Sequence, residues 1–306
     1  MVVLCVTLNP AVDRVLVVDH LEPVGTVRPR EVHVAAGGKG NNVARALRLL
    51  GTRVVTTGVV AGLPGEWLVA ALRREGLQPR FLTGGGETRT TCSIVHPGGT
   101  VVLAEPGPPL DDVTTASLLH HYRALVSVCE FVVIAGSVPS GAPGLIEDLV
   151  EAAGSARCPV LVDSSDDALG EACAAGADIV KANLEECVGA SLVGANATAS
   201  SAALALVAAG ARAAVVTDGP RGAAGATGDS VLEVPALALD VRSTVGAGDA
   251  FTAGLVAGIL DGGGFTAGLR RGTAAAAACC LVPGAGWFDP NVYSEMLSLL
   301  DAPGAS

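Results

Sequence analysis

The chain has 306 residues, half of them hydrophobic, and a formal net charge of −11. That length holds two average domains or one large α/β domain with a full core. The acidic surplus and the lack of any Lys/Arg run exclude a general nucleic-acid surface and speak against an anionic membrane as partner.

Aromatic residues make up only 3 % of the chain, so the core has to be built from small aliphatic side chains. The eight cysteines form no CxxC pair and sit mostly in apolar runs. They read as buried, reduced thiols, which predicts a cytoplasmic protein. A negative protein handling a negative substrate must concentrate its few cations locally, so each Lys or Arg in a Gly-rich loop is informative.

Residues 2–8 are apolar but too short, and without the basic flank, for a signal peptide; they predict a strand. From there strand-like and helix-like runs alternate. Strands are predicted at 54–60, 131–135, 160–163, 179–181, 213–217 and 231–239, with helices at 40–50, 66–75, 145–153, 169–175, 200–209 and 250–260. Wholly apolar strands separated by helices imply a parallel sheet covered on both faces. Residues 12–18 and 88–104 break the alternation, and His96-Pro97-Gly98-Gly99 between two β-rich runs is a hairpin signal. They predict a small antiparallel sheet projecting from the main body. No linker or repeat divides the chain, and the apolar stretch at 273–282 is too short to span a bilayer.

The motifs fall at predicted strand ends, where a parallel α/β sheet forms its ligand crevice. Asn9-Pro10-Ala11-Val12-Asp13 places a carboxylate able to accept from sugar hydroxyls, or an ordinary turn acid. Gly37-Gly38-Lys39-Gly40-Asn41-Asn42 opens a helix, where Lys39 meets a phosphate or sugar or is merely solvated. It is neither a Walker loop nor a dinucleotide fingerprint, which weakens a dehydrogenase reading. Arg89 in the small sheet is either solvated or a bidentate phosphate ligand. Asn183 and Glu186 are three apart on a first helical turn, suited to Mg²⁺ held through water and equally to a capping box. Thr217-Asp218-Gly219-Pro220-Arg221-Gly222 wraps a nucleotide or makes a tight turn, and Gly136 to Gly141 has the same ambiguity. Ser243 to Gly254 joins a glycine turn, a helix start and Asp249, whose carboxylate is a helix cap or a general base beside a bound phosphate.

Together these segments resemble the ribokinase-like sugar kinases of the PfkB family over essentially the whole chain. The run Ser243-Thr244-Val245-Gly246-Ala247-Gly248-Asp249 is the most specific match. With the opening Asn-Pro-Ala-x-Asp and the Gly-Gly-Lys-Gly segment, it looks most like the 1-phosphofructokinases, with tagatose-6-phosphate kinases and minor bacterial 6-phosphofructokinases as near relatives. The resemblance implies a three-layer α/β/α fold with a mostly parallel central sheet and a small antiparallel β lid. It implies one kinase domain, 1–306, with the lid sheet from about 12–35 and 87–105 inserted in it.

Residue by residue, the resemblance implies that Asp249 deprotonates the sugar hydroxyl while the amides of Gly246, Ala247 and Gly248 stabilise the moving phosphoryl group. Asp13, Gly37, Gly38 and Asn42 hold the sugar, and Lys39 and Arg89 bind the phosphate already on it. Lys181, Asn183 and Glu186 organise ATP and Mg²⁺, with Asn183 and Glu186 reaching the metal through water. Thr217, Gly219, Arg221 and Gly222 border the nucleotide, with Thr273 and Ala277 near the adenine. The implied reaction is ATP-dependent phosphorylation of a ketohexose phosphate, fructose 1-phosphate first and tagatose 6-phosphate or fructose 6-phosphate next. A kinase of an unphosphorylated sugar or nucleoside, or a non-catalytic sugar-phosphate sensor, comes behind these. The resemblance leaves room for a monovalent cation and implies a homodimer formed through the lid. Three positions depart from the usual pattern: Thr91 where relatives often have Asn, Asp218 in the nucleotide turn, and Ala182 for a frequent Pro.

Overall fold

The computed structural model describes residues 1–22, 24–282 and 284–301. Pro23 of the expected lid range and residues 302–306 of the expected domain lie outside the described residues.

The first apolar run forms β1 (Val2–Thr7), and its side chains alternate between two cores. Val3 and Cys5 enter one, Leu4 and Val6 the other. A strand that is apolar on both faces needs a layer on each side. In chain order the elements that follow are β2 (Ala11–Val17), β3 (Glu31–Gly37), α1 (Lys39–Leu49), β4 (Arg53–Val60), α2 (Gly62–Arg74), the short β5 (Gln78–Pro79) and β6 (Leu82–Thr83), β7 (Arg89–His96), β8 (Gly99–Ala104) and α3 (Asp112–Val126). Then come β9 (Phe131–Ala135), α4 (Leu145–Ser155), β10 (Val160–Asp163), α5 (Asp167–Ala174), β11 (Ile179–Asn183), α6 (Leu184–Gly189), α7 (Ala199–Ala208) and β12 (Ala213–Thr217). The chain ends with β13 (Ala223–Thr227), β14 (Ser230–Val234), α8 (Ala247–Gly258), α9 (Gly264–Cys280) and α10 (Pro290–Asp301).

The main sheet runs β14-β13-β12-β11-β10-β9-β1-β4-β5, with β6 paired to β4. It is parallel from β12 to β5 and antiparallel at β13 and β14. Helices α1, α2, α8, α9 and α10 pack on one face through residues such as Leu47, Leu72, Phe251, Leu269 and Met296. Helices α3, α4, α5 and α7 pack on the other through Tyr122, Leu149, Leu169 and Leu206. This is the expected three-layer α/β/α architecture.

A second sheet has the order β3-β2-β7-β8. Its outer pairings are antiparallel, while β2 and β7 run parallel because α1, β4 and α2 lie between them in the chain and supply the crossover. The last strand of the main sheet is shorter than the predicted 231–239 and ends at Val234. Pro235 follows and has no N–H to donate to a ladder.

Residues 247–280 are apolar and helical over 34 residues, but half of the most apolar window is buried. Gly262 breaks the run at φ 82, and α8 and α9 fold back on one another. A Cβ on Gly254 would lie 2.3 Å from the Arg271 carbonyl oxygen, and one on Gly272 2.9 Å from that of Phe251. The pair is a hairpin of core helices.

Candidate active site

All parallel strands of the main sheet deliver their C-terminal ends to one edge. The strand order reverses between β1 and β9, which opens a crevice there. Asn9, just past β1, donates from Nδ2 to Ser137 Oγ at 3.1 Å across that gap. The N-terminus of α8 reaches the same edge, since a Cβ on Gly248 would lie 3.0 Å from Lys181 Nζ.

Asp249 is not the cap of α8. The N-cap is Gly246, left-handed at φ 79, and no side-chain cap bond forms. Gly246 is required twice over, because a Cβ would also lie 2.5 Å from the Ala285 Cα. The turn places Asp249 two residues into the helix with its carboxylate turned to α1, where Asn42 Nδ2 donates to Oδ2 at 2.8 Å. Asp249 is 7 % exposed. Burial and the charge of Asp163 push its pKa up to about 7, against the pull of Lys39, the Asn42 bond and Lys181. A carboxylate poised near neutrality suits a general base. Gly246, Ala247 and Gly248 remain partly exposed. The Ala247 amide already donates to the Thr244 carbonyl at 3.2 Å, so it is committed within the turn.

Asp163, at the end of β10, is the residue that sequence reasoning missed. It is fully buried. Its Oδ2 accepts from Lys181 Nζ at 2.9 Å and from Thr252 Oγ1 at 2.8 Å, and its Oδ1 from Lys39 Nζ at 3.1 Å. Burial alone would raise its pKa; Lys181, Lys39 and the bonds from Lys181 and Thr252 hold it down to about 2. The available signal was a carboxylate closing an apolar strand, Val160-Leu161-Val162-Asp163, in a chain whose other strand ends carry the motifs.

Lys39 bridges Asp163 and Glu186, 3.0 Å from Glu186 Oε1. Despite the desolvation of its ammonium, these carboxylates and Asp249 raise its pKa. The structure therefore groups Lys39 with Glu186 and, through Asp163, with Lys181. Arg89 donates to the Asn9 carbonyl from Nε and Nη2 at 3.4 and 3.3 Å, and to that of Glu105 from Nη1 at 3.2 Å. Asp13 lies across from Thr91 and Ala35 in the small sheet. Gly37 makes room for it, since a Cβ there would fall 2.0 Å from the Asp13 Cγ. Burial raises the Asp13 pKa to about 6 against the charges of Arg45 and Arg89 and a bond from the Gly38 amide.

Asn183 and Glu186 form a capping box on α6: Asn183 Oδ1 accepts from the Glu186 amide and Glu186 Oε2 from the Asn183 amide, both at 2.8 Å. Thr217 is the register partner of Asn183 on β12. Arg221 is engaged by the atypical Asp218 in two bonds of 2.6 Å, with Gly219 and Gly222 bounding that turn at positive φ. Thr273 and Ala277 are buried on α9, and the Thr273 hydroxyl donates to the Leu269 carbonyl at 3.0 Å.

The pattern of the pfkB family carbohydrate kinases matches residues 4–291. The chain belongs to this family. The kinase is similar to the crystal structure of phosphofructokinase-2 from Escherichia coli in complex with potassium, with 27 % identity, a TM-score of 0.89 and 99 % of each chain covered. The same E. coli enzyme in complex with fructose-6-phosphate matches with 26 % identity, a TM-score of 0.87 and 99 % of each chain covered. A Thermotoga maritima protein described as a possible 1-phosphofructokinase matches with 27 % identity and a TM-score of 0.88, over 97 % of this kinase and 98 % of that chain. The kinase is a phosphofructokinase-like sugar phosphotransferase, and the family implies ATP as phosphoryl donor.

The residues of the kinase fit a phosphate chain with Mg²⁺. Lys181 and the backbone of Gly248 face one another across a space that a single Cβ would fill. Among the described residues no group of three or more His, Cys, Asp or Glu forms a metal cage. Glu186 offers hard oxygen, which suits Mg²⁺ carried mainly by water and phosphate. Its Oε1 is shared with Lys39 and its Oε2 with the cap. Asn183 Oδ1 is held by the cap as well, so a water-bridged Mg²⁺ would be held by the same atoms that cap the helix.

Proposed function

We propose that the kinase transfers the γ-phosphoryl group of ATP to a ketohexose phosphate, with fructose 1-phosphate as substrate and fructose 1,6-bisphosphate as product. The observation that carries this reading is Asp249: a buried carboxylate with a pKa pushed up to about 7, in the first turn of a helix and bonded to the Asn42 amide. It takes the proton of the sugar hydroxyl as that oxygen attacks. The free amides of the first turn of α8, with Gly248 nearest Lys181, stabilise the charge of the group in transit. Glu186 and Asn183 would hold Mg²⁺ through water, and the ion would supply charge neutralisation on the phosphates. Asp13, Gly38 and Asn42 hold the sugar, and Arg89 binds its phosphate. Lys181, Thr217, Gly219, Arg221, Gly222, Thr273 and Ala277 border the nucleotide.

Closure of the small sheet over the crevice excludes water. Its edge strand β8 is exposed along its length, with Val102 and Leu103 more than half exposed, which supports pairing of two copies through the lid. A monovalent cation and a cytoplasmic location belong to the same proposal.

Fructose 6-phosphate is the second reading, favoured by the E. coli relative bound to that sugar. The test is ADP release with Mg²⁺-ATP against fructose 1-phosphate, fructose 6-phosphate, tagatose 6-phosphate, fructose and ribose. Preference for fructose 1-phosphate supports the reading. Preference for a free sugar keeps Asp249 but overturns the phosphate-binding role of Arg89.

A further inference from the structure

Arg45 sits in the middle of α1, only 2 % exposed, and takes no part in the roles above. A guanidinium has five N–H donors in a fixed fork and no acceptor, and here every donor is used. Nε and Nη2 take the two oxygens of Glu75 at 2.8 and 3.2 Å. Nη2 also donates to the Ala36 carbonyl at 2.7 Å, and Nη1 to that of Ala285 at 3.0 Å. The fifth bond runs from Nη1 to Asn42 Oδ1 at 2.9 Å. Trp287 covers the group, its ring centroid 5.4 Å from the guanidinium carbon.

The fifth bond decides how Asn42 stands. A side-chain amide can rotate by half a turn and exchange its oxygen for its nitrogen. Arg45 only donates, so it accepts Asn42 in one orientation, with Oδ1 toward the guanidinium. The nitrogen then points the other way, to Asp249 Oδ2 at 2.8 Å. In the reverse orientation an amide oxygen would face a carboxylate, and the guanidinium would face an NH₂.

We propose that Arg45 is a positioning residue for the phosphoryl transfer: it fixes the Asn42 amide so that its nitrogen meets the Asp249 carboxylate. The inference rests on Asp249 acting as the general base. Through the same fork that geometry is tied to Glu75 beyond α2, to β3 of the small sheet and to the 285–287 segment. The other groups facing Asp249 are Asp163 from β10, Lys181 from β11, Lys39 from α1 and Cys279 from α9. None of them holds the amide.

The test compares Arg45→Lys, Glu75→Gln, Asn42→Ala and the Asn42→Ala/Arg45→Lys pair, with turnover expressed per folded protein and followed across pH. Lysine keeps the charge but loses the fork. Arg45→Lys is expected to lower kcat by about a hundred-fold, the scale of a misplaced reacting group, with the KM for ATP unchanged. Its acidic limb moves to higher pH, because the bond favouring the ionised carboxylate is lost. In the Asn42→Ala background the same substitution adds little. Glu75→Gln, which leaves Arg45 in place but loosens the fork, moves the limb in the same direction and covers the case in which Arg45→Lys does not fold. A lower melting temperature with kcat per folded protein and the limb unchanged, in whichever of these variants folds, overturns the inference, as does full additivity with Asn42→Ala. Asp249→Asn runs in parallel. Near-normal turnover in that variant overturns the base reading and the inference with it. Lost turnover there, with unaffected kcat and limb in Arg45→Lys and Glu75→Gln, overturns the inference alone.

Discussion

Asp163 and Asp249 share one crevice and sit at opposite ends of the carboxylate range, Asp163 held at about 2 and Asp249 pushed up to about 7. The separation has a structural cause. Asp163 takes the direct bonds of both lysines, Lys39 and Lys181. Asp249 is left with a neutral amide donor and the negative field of Asp163. Two acids of different strength in one site suit different roles: one stays charged and anchors the lysines, and on the proposed reading the other exchanges a proton.

The turnover number is expected to rise with pH through about 7, where Asp249 ionises and becomes able to accept a proton. Stability moves the other way. A carboxyl whose folded pKa lies above its ordinary 3.8 contributes stability that is full below that value and lost as pH climbs through about 7. Asp249→Asn removes that loss. It should raise the melting temperature at pH 8 by about 2–4 °C while lowering turnover by orders of magnitude. Thermal scans and steady-state rates over pH 5.5–9 check both signs; a variant that turns over normally sinks the base role.

Lys39 distinguishes two geometries. Bridged to Asp163 and Glu186, it sits in a charged cluster that, on the proposed reading, lies beside the transferred group. Lys39→Met should therefore lower kcat by about a hundred-fold, the scale of a lost charge-stabilising donor. It should also shift the acidic limb upward, since Lys39 is one of the charges lowering the Asp249 pKa. The KM for the sugar phosphate should change little. The opposite pattern, a raised sugar-phosphate KM with kcat kept, would mean that Lys39 leaves its carboxylates for the sugar.

Asp163→Asn should destabilise the fold by about 3 kcal/mol, the lower end for breaking one side of a buried ion pair. The loss falls on Lys181, which is 3 % exposed and would be left buried without its carboxylate partner. Because the Asp163 pKa is depressed in the fold, its contribution is present above the ordinary 3.8 and disappears only as pH falls through about 2. Urea unfolding at pH 7 should thus show the full deficit, and adding Lys181→Met should recover part of it. A deficit unchanged in the double variant would show that the pair is not the cause.

The strands legible in the sequence are those whose whole length is apolar. Residues 131–135, 160–163 and 213–217 emerge as β9, β10 and β12 with the expected ends. Helix α3 escaped notice because only Leu118, Tyr122 and Val126 of its residues are buried, and Thr114, Thr115 and two histidines blur the apolar period. Strand β13, Ala-Ala-Gly-Ala-Thr, has little β propensity of its own and is made a strand by antiparallel pairing to β12. In the site, glycine turns and the cap-or-base ambiguity of Asp249 were visible locally. The long-range contacts that build the site were not: Asn42 meets Asp249 across 207 positions, and Lys39 meets Asp163 across 124. Asp163 itself looked like any carboxylate at a strand end until both lysines converged on it.

On the proposed reading Arg89 binds the sugar's phosphate. Its three bonds go to backbone carbonyls at 3.2 to 3.4 Å, long for a guanidinium, so a phosphate can displace them at small cost. Its nearest acids are Asp13 and Glu105, and partial burial lowers its pKa without removing its charge. Arg89→Ala should raise the sugar-phosphate KM by about ten- to a hundred-fold, matching the loss of one charge-assisted pair. The KM for ATP should be unchanged, as should the melting temperature within about 1 °C, because the bonds lost are weak. Arg89→Lys should recover only part of the affinity, since an ammonium cannot reproduce the two-pronged contact. Initial-rate measurements with the preferred phosphosugar and with free fructose decide it: a penalty equal for both would place Arg89 on the sugar ring or in the fold, and no penalty for either would turn it away from the substrate altogether.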